Sequence, residues 1–195
     1  SYSNKYKNGK YLVSEHNEVK FLLNAFCQDE NTTIDLTGIN VIENKAFNHC
    51  KAKEIINADS VDNIISAAFD NSFFYNKKVP KNQCVVIGHY LLKADETAYR
   101  LEIPSNVETA YVNVHLNKVK EVDVHNLKIL ECILDLPQKL IIAKDTPFFS
   151  KISKLKMKGL KYIDVEDGNP FYSSENGVLF TKNKKYLLKF PPGRT

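Results

Sequence analysis

The chain has 195 residues, of which 43% are hydrophobic and 26% are charged, and its formal net charge is +4. This composition is that of an ordinary folded protein, and the length suits one domain. The charge is too small to indicate a nucleic-acid-binding protein, and no apolar run approaches the roughly 18 residues of a membrane span.

The first 29 residues are predicted to form an N-terminal cap. Residues 11–13, which follow Asn8-Gly9, indicate extended structure. Residues 18–26 are predicted to form a short helix, because their apolar side chains recur every three to four positions.

An Ala-Phe pair then recurs at a fixed distance. Ala46-Phe47 returns 22 residues later as Ala68-Phe69, and a weaker copy, Ala25-Phe26, lies 21 residues before the first. A period in this range is typical of a solenoid, in which each unit is one turn of a stack and buries its apolar side only against its neighbours.

Short apolar strands recur at nearly the same spacing as the Ala-Phe pair. Strands in such stacks are brief, and their side chains point alternately inward and outward. Seven strands are predicted, over residues 33–36, 55–57, 77–80, 100–104, 121–124, 139–142 and 162–165.

Two stretches interrupt the simple repeat. Residues 84–97 are predicted to form a pair of strands. Residues 169–190 are predicted to form a hairpin, with turns at Asn176-Gly177 and Asn183-Lys184.

These segments resemble the BspA-like leucine-rich repeat family. The family unit is similar to an apolar strand, a proline, a Ser-Val turn, an isoleucine and then Ala-Phe, and residues 34–50 and 55–72 carry it most fully. The hairpin also resembles one that this family inserts, through Asn169-Pro170, Gly177-Val178-Leu179-Phe180 and Pro191-Pro192-Gly193. Asn57-Ala58 departs from the Ile-Pro of the family pattern.

The resemblance covers about residues 30 to 195 and implies the fold class. We expect an α/β, right-handed leucine-rich-repeat solenoid of mostly short parallel strands, with turns or short helices and inserted β-hairpins. The repeat region would span residues 30–195 as a single domain that follows the cap at 1–29.

The same resemblance implies an extracellular or cell-surface protein that binds other proteins, such as host matrix or cell-surface proteins, as an adhesion module. It implies neither catalytic activity nor a cofactor. The alternative is a structural spacer, a stalk that presents another domain and binds nothing itself.

The outward positions of the strands define a predicted partner-binding face. Its members are Asp35, Glu54, Glu102, Glu121, Asp123, Tyr162 and Asp164. Strands about 4.8 Å apart would bring Glu102, Glu121 and Asp123 into an acidic cluster, and close like charges repel unless a positive group joins them. A basic partner segment or a divalent cation would supply that charge. The alternative is that these residues are solvated and only keep the sheet soluble.

Other reactive residues show no catalytic pattern. The sequence contains no HExxH, GxSxG or P-loop motif, and the five histidines are expected to be surface or turn residues. The four cysteines form no CxxC pair and are expected to be buried fillers, although a disulfide stays possible. Five lysines within 151–161 indicate either a patch for an anionic surface or a solvated turn whose apolar residues point inward.

Overall fold

Short strands follow one another at the spacing of the sequence repeat in a computed structural model that describes residues 3–7, 11–27, 29–112, 114–133 and 135–194. They form two compact units, residues 1–78 with 87–89 and residues 79–86 with 90–195. The predicted solenoid of short strands, few helical turns and inserted hairpins is confirmed. Its right-handed sense, and the division into a cap at 1–29 and a single repeat domain at 30–195, stay predictions.

The first unit contains a sheet that begins antiparallel and ends parallel. Its strands are β1 (Ser3–Lys7), β2 (Tyr11–His16), β3 (Val19–Asn24), β5 (Val41–Ile42) and β7 (Asn63–Ile64), in the order β1-β2-β3-β5-β7. The extended structure predicted at 11–13 is confirmed as part of β2, whereas Asn8-Gly9 lies outside the described residues.

The helix predicted over residues 18–26 is wrong, because this segment forms β3. Asn17 and Glu18 have φ of 48° and 66°. Two consecutive residues with positive φ make a tight hairpin turn, so the chain returns antiparallel to β2 and pairs along it. Leu22 thereby becomes fully buried.

The Ala-Phe turns of the first unit stack as the repeat requires. Ala46, Phe47, Ala68 and Phe69 are at most 1% exposed, and the two phenylalanine rings stack with centroids 4.8 Å apart. Phe47 N donates to Ala68 O at 2.9 Å. In the weaker copy Ala25 is buried but Phe26 is half exposed, so only the alanine joins the stack.

A second, two-stranded parallel sheet of the first unit pairs β4 (Thr33–Asp35) with β6 (Glu54–Ile56). The strand predicted next, over 77–80, is wrong. Ser72 caps a short helix, α1 (Phe73–Asn76), by accepting from Tyr75 N at 3.2 Å. The exposed Lys77-Lys78 that follow bury nothing, and Pro80 cannot donate to a ladder.

The second unit contains three groups of strands. The strands are β8 (Cys84–Ile87), β9 (Tyr90–Ala94), β10 (Arg100–Ile103), β11 (Thr109–Ala110), β12 (Glu121–Val124), β13 (Lys139–Ile142), β14 (Tyr162–Val165), β15 (Tyr172–Glu175), β16 (Val178–Thr181) and β17 (Leu187–Lys189). A parallel sheet has the order β10-β12-β13-β14, a mixed sheet has the order β11-β9-β8, and an antiparallel sheet has the order β15-β16-β17. The predicted strand pair at 84–97 and the hairpin at 169–190 are both confirmed.

Helical structure in this unit is limited, among the described residues, to 3-10 turns at Leu127–Glu131 and Ile152–Lys154. No described helix has the length and apolar character that crossing a bilayer requires.

The four cysteines are free thiols; Cys27 and Cys50 are buried as expected, whereas Cys132 is exposed.

Candidate partner-binding face

The parallel sheet of the second unit holds four strands in register. Glu102 lies opposite Asp123, Asp123 opposite Ile141, and Ile141 opposite Asp164. The inward row is fully buried and consists of Leu101, Val122, Leu140 and Ile163. Because side chains alternate along a strand, this row fixes which residues project from the opposite side. The register predicted for these four strands is therefore confirmed.

The opposite side carries two rows of mainly charged side chains, which we call the outer face. One row is Arg100, Glu121, Lys139 and Tyr162, and the other is Glu102, Asp123, Ile141 and Asp164. Four carboxylates thus stand beside two cations within one sheet. Glu102, Glu121 and Asp123 lie on adjacent strands of this face, and positive groups of the chain itself lie among them.

Arg100 neutralises Asp123 at the start of the outer face. Its Nε and Nη2 donate to Asp123 Oδ2 at 2.8 and 2.6 Å. Asp123 is only 7% exposed, so it offers little surface to a partner. Burial raises the pKa of Asp123, and the hydrogen bonds from Arg100 oppose that rise.

Lys139 neutralises the middle of the outer face. Its Nζ lies 3.8 Å from Glu121 Oε1 and 3.5 Å from Asp164 Oδ2, and 5.8 Å from the centre of the Tyr162 ring. These distances exceed those of the Arg100 pair, and Asp164 is about half exposed. Exposed pairs of this kind contribute little to stability, so Asp164 can exchange Lys139 for another cation at little cost.

Tyr162 projects from the outer face beside the inserted hairpin. Tyr162 is 42% exposed, and its ring lies against Gly177, where an added Cβ would come within 2.5 Å of Tyr162 Cδ2. Gly177 has φ of 77° in the turn between β15 and β16. The glycine therefore permits both the turn and the seat of the tyrosine ring.

His125 joins two carboxylates at the end of β12. Its Nδ1 lies 2.6 Å from Asp145 Oδ1 and its Nε2 lies 3.0 Å from Glu102 Oε1. Burial alone would lower the pKa of His125, but the hydrogen bonds to Asp145 and Glu102 outweigh it and raise that pKa. An imidazolium donates from both nitrogens, which suits two carboxylates.

An open groove of about 520 Å³ adjoins this cluster, and Glu102, His125 and Asp145 are among its lining residues. Within the described part of the chain, no group of three or more His, Cys, Asp or Glu side chains is placed to hold a metal ion. The divalent-cation alternative therefore finds no site among those residues.

The structure does not bring all seven predicted residues into one sheet. Glu102, Glu121, Asp123, Tyr162 and Asp164 share the outer face of the second unit. Asp35 and Glu54 lie on β4 and β6 of the first unit. There Asp35 Oδ1 accepts from Thr37 N at 2.9 Å, and Glu54 Oε2 accepts from Thr33 Oγ1 at 3.0 Å.

The sequence-based predictions did not include His125 and Asp145. They also gave Arg100 and Lys139 no role in neutralising the carboxylates. The repeat period contains the signal, because residues one turn apart become neighbours. His125 lies 23 positions after Glu102 and 20 before Asp145, and Asp123 lies 23 after Arg100. A search for opposite charges at one repeat period would have found these pairs.

Comparison with known proteins agrees with this architecture. A family model, the BspA-type leucine-rich repeat region in six copies, matches residues 21–131, which is more than half of the chain. No curated protein matches the chain.

Two solved structures are similar to it. They are a leucine-rich repeat protein from Eubacterium ventriosum, 15% identical with a TM-score of 0.33, and the pneumococcal vaccine antigen PcpA, 17% identical with a TM-score of 0.37. The alignments cover 100% and 99% of this chain but 52% and 57% of those proteins, so the chain spans little more than half of their length. The match to the family model shows that the chain belongs to the BspA-type leucine-rich repeat family, whose repeats generally mediate protein interactions and are typically non-catalytic.

Proposed function

We propose that the chain is a non-catalytic protein-binding module of an extracellular or cell-surface protein, with an adhesion role, and that its outer face receives a basic segment of the partner. The observation that carries this proposal is the outer face itself. There the exposed carboxylates of Glu102 and Asp164, together with exposed Tyr162, stand on a sheet whose strands are held in register.

The rigidity of the sheet supports this function. Ladder hydrogen bonds and a fully buried inner row fix the outer side chains in space, so a partner does not have to order the backbone when it binds. Alternating charges give electrostatic complementarity, which selects partners and speeds their approach more than it adds affinity. Tyrosine adds apolar area with little loss of side-chain entropy.

The seven residues differ in their proposed roles. Glu102, Glu121, Tyr162 and Asp164 contact the partner, whereas Asp123 acts through Arg100, which it holds in place. Asp35 and Glu54 are proposed to bind through the separate β4–β6 sheet. A basic segment is favoured because a lysine or arginine of the partner can replace Lys139 as the cation beside the exposed Asp164 carboxylate.

Binding is tested with the purified chain immobilised on a biosensor and with a panel of host matrix and cell-surface proteins in solution, at low and at physiological salt. We expect a saturable partner whose affinity falls as salt rises. E102K/D164K should weaken that binding at least tenfold. D59K/D70K makes the same charge change at exposed positions of the first unit and should leave it within about twofold.

Two results would overturn the proposal. Equal loss in both double variants would show a general charge effect rather than a site on the outer face. No saturable partner in the panel would favour the spacer alternative, in which the repeats only present another domain. Circular dichroism melts of all variants exclude unfolding as the cause.

A further inference from the structure

A second surface of the second unit combines an apolar recess with lysines. The recess has a volume of about 530 Å³ and lies beside the 3-10 turn Leu127–Glu131. Its floor consists of Leu130, Ile133 and Leu155, each at most 6% exposed. Its rim carries the exposed side chains of Lys154, Lys156 and Lys158. We call this surface the lysine recess.

The apolar residues of the lysine-rich segment point inward, as one of the two sequence interpretations predicts. Ile152, Leu155, Met157 and Leu160 are all buried. This alternation leaves the lysines on the solvent side of the same segment. Lys189 holds the segment in place, because its Nζ donates to Ser153 O at 3.1 Å and to Leu155 O at 2.6 Å.

The charges at the lysine recess do not cancel. Its two carboxylates already have partners, since Glu131 pairs with Lys151 at 3.2 Å and Asp135 lies 3.1 Å from His115 Nδ1. Lys154, Lys156 and Lys158 have no ion pair with any residue that the structure describes. The rim therefore has an excess of positive charge directly above an apolar floor.

We infer that the lysine recess binds an acidic segment of a protein partner, which places one apolar side chain on the floor and its carboxylates on the three lysines. This ligand has the opposite charge from the one proposed for the outer face, so the inference goes beyond the proposed function. Charge complementarity identifies the acidic groups of the ligand, and the recessed floor identifies the apolar side chain between them.

Other polyanions fit the lysine recess less well. The floor lies below the rim, so the flat surface of an anionic bilayer meets the lysines but does not reach Leu130, Ile133 and Leu155. A sulfated polysaccharide has no apolar side chain to insert and would leave the floor empty. A peptide side chain is narrow enough to enter and apolar enough to gain from burial.

The test uses the full 195-residue chain and fluorescein-labelled acetyl peptides, with binding followed by anisotropy at low and physiological salt. The probes are EELEE, the less apolar EESEE and the charge-reversed KKLKK. We expect EELEE to bind about tenfold more tightly than EESEE, because burying one leucine is worth about that factor. KKLKK should not bind at the recess.

Lysine substitutions locate the site. K154Q/K156Q/K158Q should weaken EELEE binding at least tenfold, whereas K78Q/K182Q/K185Q, which removes the same charge from exposed lysines elsewhere, should change it less than twofold. Among the residues that the structure describes, none of these six lysines forms an ion pair, so both variants should keep the melting temperature of the parent chain.

Three outcomes would overturn the inference. Equal binding of EELEE and EESEE would show that the floor plays no part and that the lysines attract any anion. Binding of heparin or of phosphatidylglycerol vesicles without binding of EELEE would assign the lysines to a polysaccharide or a membrane instead. Equal losses in the two triple variants would show a general charge effect.

Discussion

Arg100 reaches diagonally across the β10–β12 ladder to Asp123, although the residue directly opposite it is Glu121. Both guanidinium donors converge on Asp123 Oδ2, and Oδ1 is buried without a hydrogen-bond partner among the described residues. Only one of the two carboxylate oxygens of Asp123 is therefore hydrogen-bonded. The stability of the pair depends on Arg100, because removing the cation would leave a buried carboxylate with no counter-charge.

Arg100→Gln should lower the free energy of unfolding by about 1–3 kcal/mol at neutral pH, because it leaves the buried carboxylate of Asp123 without its cation. Lys139→Gln is the matched control. It removes a cation from the same outer face, but that cation makes only longer contacts, so the loss should stay below about 1 kcal/mol. Urea unfolding of the three proteins measures the difference.

The deficit of Arg100→Gln should depend on pH in a defined direction. Burial raises the pKa of Asp123 in the folded state, and loss of Arg100 raises it further. Above that folded pKa, the charge buried on Asp123 lowers the free energy of unfolding of the variant. As the pH falls through the folded pKa, Asp123 is protonated and the deficit shrinks. A deficit that is the same at pH 4 and at pH 7 would contradict this account.

His125 should make the protein more stable in mild acid than in base. Its pKa is raised from 6.5, so its contribution is fully present below pH 6.5 and is lost as the pH rises through the folded pKa. His125→Gln should therefore cost about 1 kcal/mol near pH 6 and little near pH 9. Thermal melts across this range measure the effect.

The two carboxylates should contribute unequally to the His125 pKa. Asp145 is the closer partner, at 2.6 Å against 3.0 Å for Glu102. Asp145→Asn should therefore lower the His125 pKa more than Glu102→Gln, as read from the imidazole proton shifts in NMR titrations. A larger effect of Glu102→Gln would mean that the length of the hydrogen bond does not decide which carboxylate sets the pKa of His125.

Most of the ladder could be predicted because the repeat period and strand alternation are local signals. The apolar centres Leu101, Val122, Leu140 and Ile163 recur at nearly even spacing and become one buried row. The predictions at 18–26 and 77–80 are wrong for local reasons too. Asn17-Glu18 forms a tight turn without a glycine, and Ser72 caps a short helix immediately before the strand that the repeat period predicts.

The chemistry of the site was harder to predict than its position. Counting carboxylates on one face identified Glu102 and Asp123 but assigned no role to the cations beside them. The diagonal reach of Arg100 depends on side-chain length, and the His125 bridge depends on residues that follow the strands rather than belong to them. Alternation along a strand contains neither kind of information.

Phe69→Ala should destabilise the protein by about 3–5 kcal/mol, because it removes a fully buried ring that stacks on Phe47 and leaves a cavity between two turns of the stack. Phe26→Leu, at the half-exposed copy of the same motif, should change stability by less than about 0.5 kcal/mol. Urea unfolding followed by circular dichroism compares them. Similar losses at both positions would mean that the Ala-Phe stack does not hold the first unit together.

Gly88→Ala should destabilise the first unit more than a glycine substitution at an open position does. Gly88 has φ of 54°, and an added Cβ would lie 2.3 Å from the backbone oxygen of Ala58, which has no flexible side chain to move away. Gly168→Ala is the matched control, since Gly168 also has positive φ but an added Cβ would meet nothing within 4 Å. In both variants an alanine with positive φ destabilises the fold by about 1–3 kcal/mol, and only Gly88→Ala also forces two backbone segments apart.

We therefore expect Gly88→Ala to melt at a clearly lower temperature than Gly168→Ala. Equal melting temperatures would show that the close approach of Gly88 to Ala58 contributes nothing to the stability of the first unit.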